Sequence, residues 1–220
     1  KDKHAFITGG GTGIGLAIAQ DLAAKGAKVT ITGRRQEVLD AVSGDGISGM
    51  AIDVRDEAQV TETIARVVEA NGPVQICVAN AGVAEGRSLH KTDLDFWRDM
   101  MATNLDGAFL TIRESLKSMR QTDWGRVIAV SSMAGLRGLP GAACYSASKH
   151  GMIGLIRSLS EDYMGQPFTF NALCPGYVDT EIIARNTQAI SKRAGLSEEK
   201  ARDVMVNANR HKRLIAPSEV

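Results

Sequence analysis

Tyr145 and Lys149 stand four residues apart in Ala143-Cys144-Tyr145-Ser146-Ala147-Ser148-Lys149, and the serine pair Ser131-Ser132 closes an apolar run, with Ser132 thirteen residues before the tyrosine. In a helix, positions i and i+4 share a face, which sets the ammonium of Lys149 beside the Tyr145 phenol. A free tyrosine titrates near ~10. An adjacent cation favours phenolate, lowers that value and makes a usable acid or base. The spacing alone also occurs on solvated helix faces, so its meaning depends on the rest of the chain.

The other end of the sequence supplies the context. His4-Ala5-Phe6-Ile7-Thr8 is a short apolar run, followed by Gly9-Gly10-Gly11-Thr12-Gly13-Ile14-Gly15 and then by Leu16-Ala17-Ile18-Ala19-Gln20-Asp21-Leu22-Ala23. This reads as strand, glycine turn and helix, the setting a dinucleotide fingerprint requires; the plain alternative is an ordinary strand-to-helix turn. Glycines let backbone approach a pyrophosphate, and a helix starting near Gly13 offers free N–H groups and its positive dipole end.

Further short runs read as strands: Val29–Thr32, Gly49–Ile52, Gln75–Ala79, Arg126–Val130 and Phe168–Leu173, making six with the first. Between them Glu57–Ala70 and Phe96–Arg120 have helical spacing, and the helix carrying Tyr145 is expected to run through Ile156 to about Tyr163. Alternation of this kind implies an α/β fold, a Rossmann-type doubly wound parallel sheet with helices on both faces, in a single domain spanning 1–220. Ligands of such sheets bind at the carboxyl ends of the strands, where the strand order reverses. Gly9, Asn80, Ser132 and Pro175 all fall at such ends.

These motifs together resemble the short-chain dehydrogenase/reductase family in its single-domain, Tyr-x-x-x-Lys branch, over nearly the whole chain. Its Thr-Gly-x-x-x-Gly-x-Gly motif is met by Thr8, Gly9, Gly13 and Gly15, with Thr12 and Ile14 inside it, and its Asn-Ala-Gly turn by Asn80-Ala81-Gly82. The family's Asn, Ser, Tyr and Lys tetrad maps onto Asn104, Ser132, Tyr145 and Lys149; Ser132 rather than Ser131 has the family's spacing to the tyrosine. Pro175-Gly176, Val178 and Thr180 match the turn after the sixth strand that meets the nicotinamide. The resemblance implies hydride transfer between nicotinamide and a carbonyl or carbinol carbon. Tyr145 would give or take the proton and Ser132 would hold the substrate oxygen. Lys149 would lower the Tyr145 pKa and bind the ribose. The side chain of Asn104 would hold a water linking Lys149 to solvent, unless it only caps or bends its helix.

Charge bears on the cofactor. After Thr32 come Gly33-Arg34-Arg35, with no carboxylate where NAD-preferring folds place one. Arginine binds phosphate through two parallel N–H bonds, so Arg34, with Arg35, points to NADP(H) over NAD(H); the alternative is a solvated basic turn. Asp53 and Val54 resemble the family's adenine-contacting pair, although Asp53 could instead cap the helix beginning near Asp56.

Composition excludes other classes. In 220 residues, Lys+Arg 26 against Asp+Glu 25 leaves no basic stripe for nucleic acid. No apolar stretch approaches membrane-spanning length, and a cytoplasmic location is expected. Cys77, Cys144 and Cys174 are odd in number and dispersed, against a disulfide framework, and no Cys/His spacing suggests a metal. Cys144 and His150, six apart, point in different directions on a helix and do not make a nucleophile pair. Arg137 is either a solvated loop residue or a contact for an anionic substrate. By resemblance, residues 181–213 form the substrate lid; Ile182, Ile183, Arg185, Lys192, Arg193 and Lys200 would suit an acyl thioester or another carbonyl with an anionic tail. Family members continue past a Pro-Ser-Glu-Val-like segment into a seventh strand, which is expected to be missing here, and they assemble as homotetramers or homodimers. Two other readings stand beside the enzyme: a catalytically silent NADP(H)-binding regulatory protein, and a sugar-nucleotide epimerase, for which the chain encodes no separate substrate domain.

Overall fold

A computed structural model describes residues 1–220, the side chain of Arg193 excepted. Six parallel strands form one sheet in the order β3-β2-β1-β4-β5-β6: β1 His4–Thr8, β2 Lys28–Gly33, β3 Ile47–Ala51, β4 Val74–Ala79, β5 Gly125–Val130 and β6 Phe168–Leu173. The chain builds outward from β1 to β3, returns to pair β4 with β1, then builds outward the other way. The reversal lies between β1 and β4, which opens a crevice at their carboxyl ends.

The strands read as nearly continuous apolar runs because helices cover both faces. Along β1, Ala5 and Ile7 join Val29, Ile31 and Val78 on one face, while Phe6 joins Cys77, Val127 and Phe170 on the other. The first face packs under α1 (Gly13–Ala24) and α2 (Gln36–Asp40). The second packs under α3 (Glu57–Asn71), α5 (Gly107–Met119) and α6 (Ala143–Asp162). Asp56 caps α3 by accepting the Gln59 N–H at 3.1 Å, which settles the cap on Asp56 and not on Asp53.

The expected single helix Phe96–Arg120 is three segments in one continuous course: α4 (Leu94–Met101), a π-helical turn Ala102–Asp106, and α5. A π turn inserts an extra residue and re-aims the side chains on it; here it carries Asn104. The third strand lies slightly earlier than Gly49–Ile52, because its register with β2 already begins with Ile47 opposite Val29 and ends with Ala51 opposite Gly33. Residues expected in the lid form α7 (Glu181–Ala194) and α8 (Glu198–Ala208), which pack on each other beside the crevice. The Arg193 side chain lies outside the described residues. No helix is long and apolar enough to cross a membrane.

Candidate active site

Two clefts meet at the carboxyl edge of the sheet. The larger, about 570 Å³, runs from the glycine turn to the ends of β2 and β3 and is lined by Gly9, Thr12, Gly13, Arg34, Asp53 and Asn80 among others. Arg35, Val54, Ala81 and Gly82 also line it. The smaller, about 200 Å³, holds Ser132, Tyr145, Pro175, Gly176 and Val178. Ile14, Thr180 and Ile182 line both, so a molecule filling the first reaches the second.

The glycine turn is built for close approach. Gly9 and Gly13 have φ of 65° and 55°, and a Cβ on Gly15 would lie 2.3 Å from the Gly9 carbonyl oxygen. Thr12, at the N-cap of α1, makes no side-chain cap bond, and the first turn carries no acidic residue. The leading N–H groups of α1 are thus left for an anion. Thr8 and Gly15 line neither cleft. The Thr8 hydroxyl accepts the N–H groups of Asn80 and Ala81, both at 3.1 Å, and the Asn80 amide donates to the Thr8 carbonyl at 2.9 Å. These bonds lock the ends of β1 and β4 together beneath the cleft.

Asp53 and the two arginines do different things. Asp53 takes Arg55 through both carboxylate oxygens, with Nη2–Oδ2 at 2.6 Å, and this bond holds its pKa below the usual carboxylate range, with Arg34 adding to the effect. Arg34 therefore lines the larger cleft beside a carboxylate already satisfied by Arg55. Arg35, also in the cleft wall, faces Glu181 of α7 at 3.9 Å; Glu181 also meets Arg185 at 3.3 Å.

In the smaller cleft the Ser132 hydroxyl accepts the Ala134 N–H at 3.1 Å, and it is near enough to the Tyr145 phenol to pull its pKa down. Ser131 instead donates to the Lys149 carbonyl at 3.0 Å, within the packing of α6. The expected lowering of the Tyr145 pKa is not what this structure gives. Burial raises it, outweighing the pull of the nearby Ser132 hydroxyl, and Tyr177 adds to the rise. The reason lies in Lys149: its Nζ is 5.8 Å from the Tyr145 ring centre and donates to the Val130 carbonyl at 2.8 Å. Buried behind the cleft, Lys149 has its own pKa pushed down to about 8.

Asn104 is fully buried, and its side chain is largely spoken for. Oδ1 accepts the Val83 N–H at 2.8 Å, while Nδ2 donates to the Val83 carbonyl at 2.9 Å and the Ser148 hydroxyl at 3.1 Å. It clamps the loop after Asn80-Ala81-Gly82 to α6, and one acceptor lone pair of Oδ1 remains for the expected water. Tyr177 and Asn209, absent from the sequence reading, stand out here: the buried Asn209 amide holds the backbone of Tyr177 in the cleft wall. Asn209 is thirty-two residues from that backbone, beyond the reach of any spacing rule. His and Cys residues do not converge: no metal-holding cluster occurs among the described residues, and Cys77, Cys144 and Cys174 are all free.

A glycine-lined cleft at the switch point of a doubly wound parallel sheet, opening onto a cleft with a serine–tyrosine pair backed by a lysine, defines a nicotinamide-dependent oxidoreductase. The chain belongs to the short chain dehydrogenase family, whose profile matches residues 3–191. It is 36% identical over 191 residues to the 3-oxoacyl-[acyl-carrier-protein] reductase MabA of Mycobacterium avium, covering 87% of this chain and 71% of that protein. It is 32% identical over 228 residues to a D-beta-hydroxybutyrate dehydrogenase of Rhizobium meliloti, covering 99% of this chain and 88% of that one. Among solved structures, an actinorhodin polyketide ketoreductase variant with NADPH superposes with a TM-score of 0.94 at 34% identity, covering 99% of this chain and 86% of that one. The chain is an NAD(P)-dependent oxidoreductase that interconverts a ketone and a secondary alcohol.

Proposed function

We propose that this chain reduces the ketone of a 3-oxoacyl thioester or a similar carbonyl with NADPH, using Tyr145 as the proton donor. The observation that carries this reading is that Ser132 and Tyr145 line one cleft, which shares Ile14, Thr180 and Ile182 with the glycine-lined cleft. NADPH held in the larger cleft would supply the hydride. Ser132 holds the substrate carbonyl oxygen, and Tyr145 delivers its proton to that oxygen as negative charge develops on it. The phenol is protonated at neutral pH, burial reinforcing this, and so carries the proton that ketone reduction needs. Lys149, charged below about pH 8, sits behind Gly82, where a Cβ would lie 3.5 Å from its Nζ. From there it would reach the ribose and bias the phenol once a ligand draws it from Val130. Asn104 keeps that wall in place.

Arg34, which forms no ion pair among the described residues, would take the additional phosphate of NADP(H). The acyl substrate is favoured by the apolar lining of the smaller cleft, with Leu139, Ile183, Ile190 and Met205, and by the resemblance to ketoacyl reductases. We place the protein in the cytoplasm as a homotetramer or homodimer, a reading supported by its three free thiols and by the exposed Leu94 and Phe109 on α4 and α5. Initial rates with NADPH and NADH against 3-oxoacyl thioesters, simple ketones, ketosteroids and sugars test the assignment. Turnover of the thioesters that favours NADPH supports it; tight NADPH binding with no turnover would support the silent regulatory reading instead.

A further inference from the structure

Tyr177 follows Pro175-Gly176 and lines the same cleft as Ser132 and Tyr145. Its backbone is immobilised on both sides. The Asn209 Oδ1 accepts the Tyr177 N–H at 2.9 Å, and the Asn209 Nδ2 donates to the Tyr177 carbonyl at 2.9 Å and to the Arg213 carbonyl at 2.8 Å. Asn209 is itself buried, and a Cβ on Gly176 would come within 2.5 Å of its Oδ1, so this contact is possible only with glycine there. A backbone held this firmly fixes where the ring enters the cleft.

The phenol at the end of that ring is half-buried, yet it has no hydrogen-bond partner among the described residues. Its neighbours are informative. Tyr177 and Tyr145 are near enough for their charges to act on each other. Burial raises the Tyr177 pKa, and Arg137, from the loop between β5 and α6 and with no ion pair among the described residues, partly offsets that rise with its positive charge. Glu85, the acidic residue in the same cleft wall, is paired with Arg87 at 3.4 Å and does not compete for this position. The cleft thus offers two separate oxygen-directed groups: Ser132 with Tyr145, and the Tyr177 hydroxyl, which has no partner of its own among the described residues. The rest of the wall is largely apolar.

We propose that Tyr177, supported by Arg137, is a second oxygen-binding subsite that selects substrates carrying a carbonyl oxygen β to the reacting ketone, as in 3-oxo esters and thioesters, over simple monoketones. With the ketone oxygen at Ser132 and Tyr145, the ester or thioester oxygen accepts from the Tyr177 hydroxyl. A site built to bond a substrate oxygen discriminates against the analogue that lacks it, since its own polar group is then left unpaired. The proposal rests on the assignment of the reacting ketone to Ser132 and Tyr145.

The test compares ethyl 3-oxobutanoate with 2-heptanone, a monoketone of the same chain length, in the parent protein, Tyr177→Phe and Arg137→Gln with NADPH. Tyr177→Phe is expected to lose about tenfold or more in kcat/KM on the keto ester while 2-heptanone stays within about twofold. Arg137→Gln should shift the same ratio in the same direction by a smaller factor. Because Arg137 is on an exposed loop, it reports on the subsite even if Tyr177→Phe fails to fold. Equal losses on both substrates, or no loss on the keto ester, would overturn the subsite. A parent protein that reduces neither compound would overturn the assignment of the ketone to Ser132 and Tyr145, and the subsite with it; turnover of 2-heptanone with an unchanged ratio in both variants sinks the subsite alone.

Discussion

Lys149 Nζ donates to the Val130 carbonyl at 2.8 Å, so the one ammonium behind the tyrosine is anchored to the end of β5 in a buried position. Burial is costly to a charge, and the pKa falls from 10.5 to about 8. In the folded protein the charged form is disfavoured, so as pH falls from 10.5 toward 8 the unfolded chain takes up a proton that the folded chain resists, and stability declines over that window. Replacing Lys149 by Met removes this dependence. Urea unfolding of Lys149→Met and parent is expected to show the variant gaining about 2 kcal/mol on the parent between pH 10 and pH 7.5. A gap that stays constant across that range would mean Lys149 is not held in an unfavourable setting.

The raised Tyr145 pKa predicts opposite pH behaviour for the two directions of reaction. A protonated phenol serves reduction, so kcat for ketone reduction should be level across neutral pH. Oxidation of the alcohol needs the phenolate, and its kcat/KM, which reports the free protein, should climb from pH 7 through 9 without reaching a plateau. In kcat/KM for reduction, which reports the free protein, the loss of the Lys149 proton should appear as a fall above about pH 8. An oxidation rate already level at pH 7 would show that the phenol is not held protonated.

The two arginines after β2 are separable. Arg34 stands beside the Asp53–Arg55 pair, whereas Arg35 bridges to Glu181 on α7 at 3.9 Å. Arg34→Ala should cut the NADPH-over-NADH preference in kcat/KM by roughly tenfold or more, the worth of a charged hydrogen bond. Arg35→Ala removes an exposed ion pair of about 0–1 kcal/mol and should change both cofactors alike. A variant pair with equal effects on preference would contradict this division.

His4 offers a test of stability away from the site. Its Nδ1 faces the Gly72 carbonyl at 2.8 Å, which can only accept, so Nδ1 carries the proton and Nε2 accepts from the Thr30 hydroxyl at 3.1 Å. Burial, the largest influence, and the nearby Lys28 lower its pKa below 6.5. The neutral ring is therefore favoured in the fold: this contribution is constant above pH 6.5 and lost as pH falls through the lowered value. Between pH 7.5 and 5, His4→Gln should lose less stability in urea unfolding than the parent does; an equal or greater loss would refute the assignment.

The sheet was legible because its strands are covered on both faces and read as apolar runs, and the glycine turn because Gly9 and Gly13 adopt conformations other residues resist. What the sequence hid are bonds that join distant positions. Nothing near Asn104 marks a π turn; the turn is tied by the Asn104 amide to Val83, twenty-one residues upstream. Helical spacing put Lys149 on the Tyr145 face correctly, yet it says nothing of the Val130 carbonyl that draws the ammonium away, so the direction of the tyrosine's pKa shift was misread. Arg34 and Arg35 are adjacent in sequence and split only because the second meets a carboxylate of α7, far along the chain.

The most direct measurement is NADPH oxidation with ethyl 3-oxobutanoate by the parent and by Tyr145→Phe, alongside calorimetric binding of NADPH to both. The account predicts that Tyr145→Phe binds NADPH within about threefold of the parent while kcat falls by roughly 10²–10⁴, the contribution of a positioned proton donor. A variant that binds NADPH normally and keeps more than about a tenth of the parent rate would contradict the assignment of Tyr145 as the proton donor.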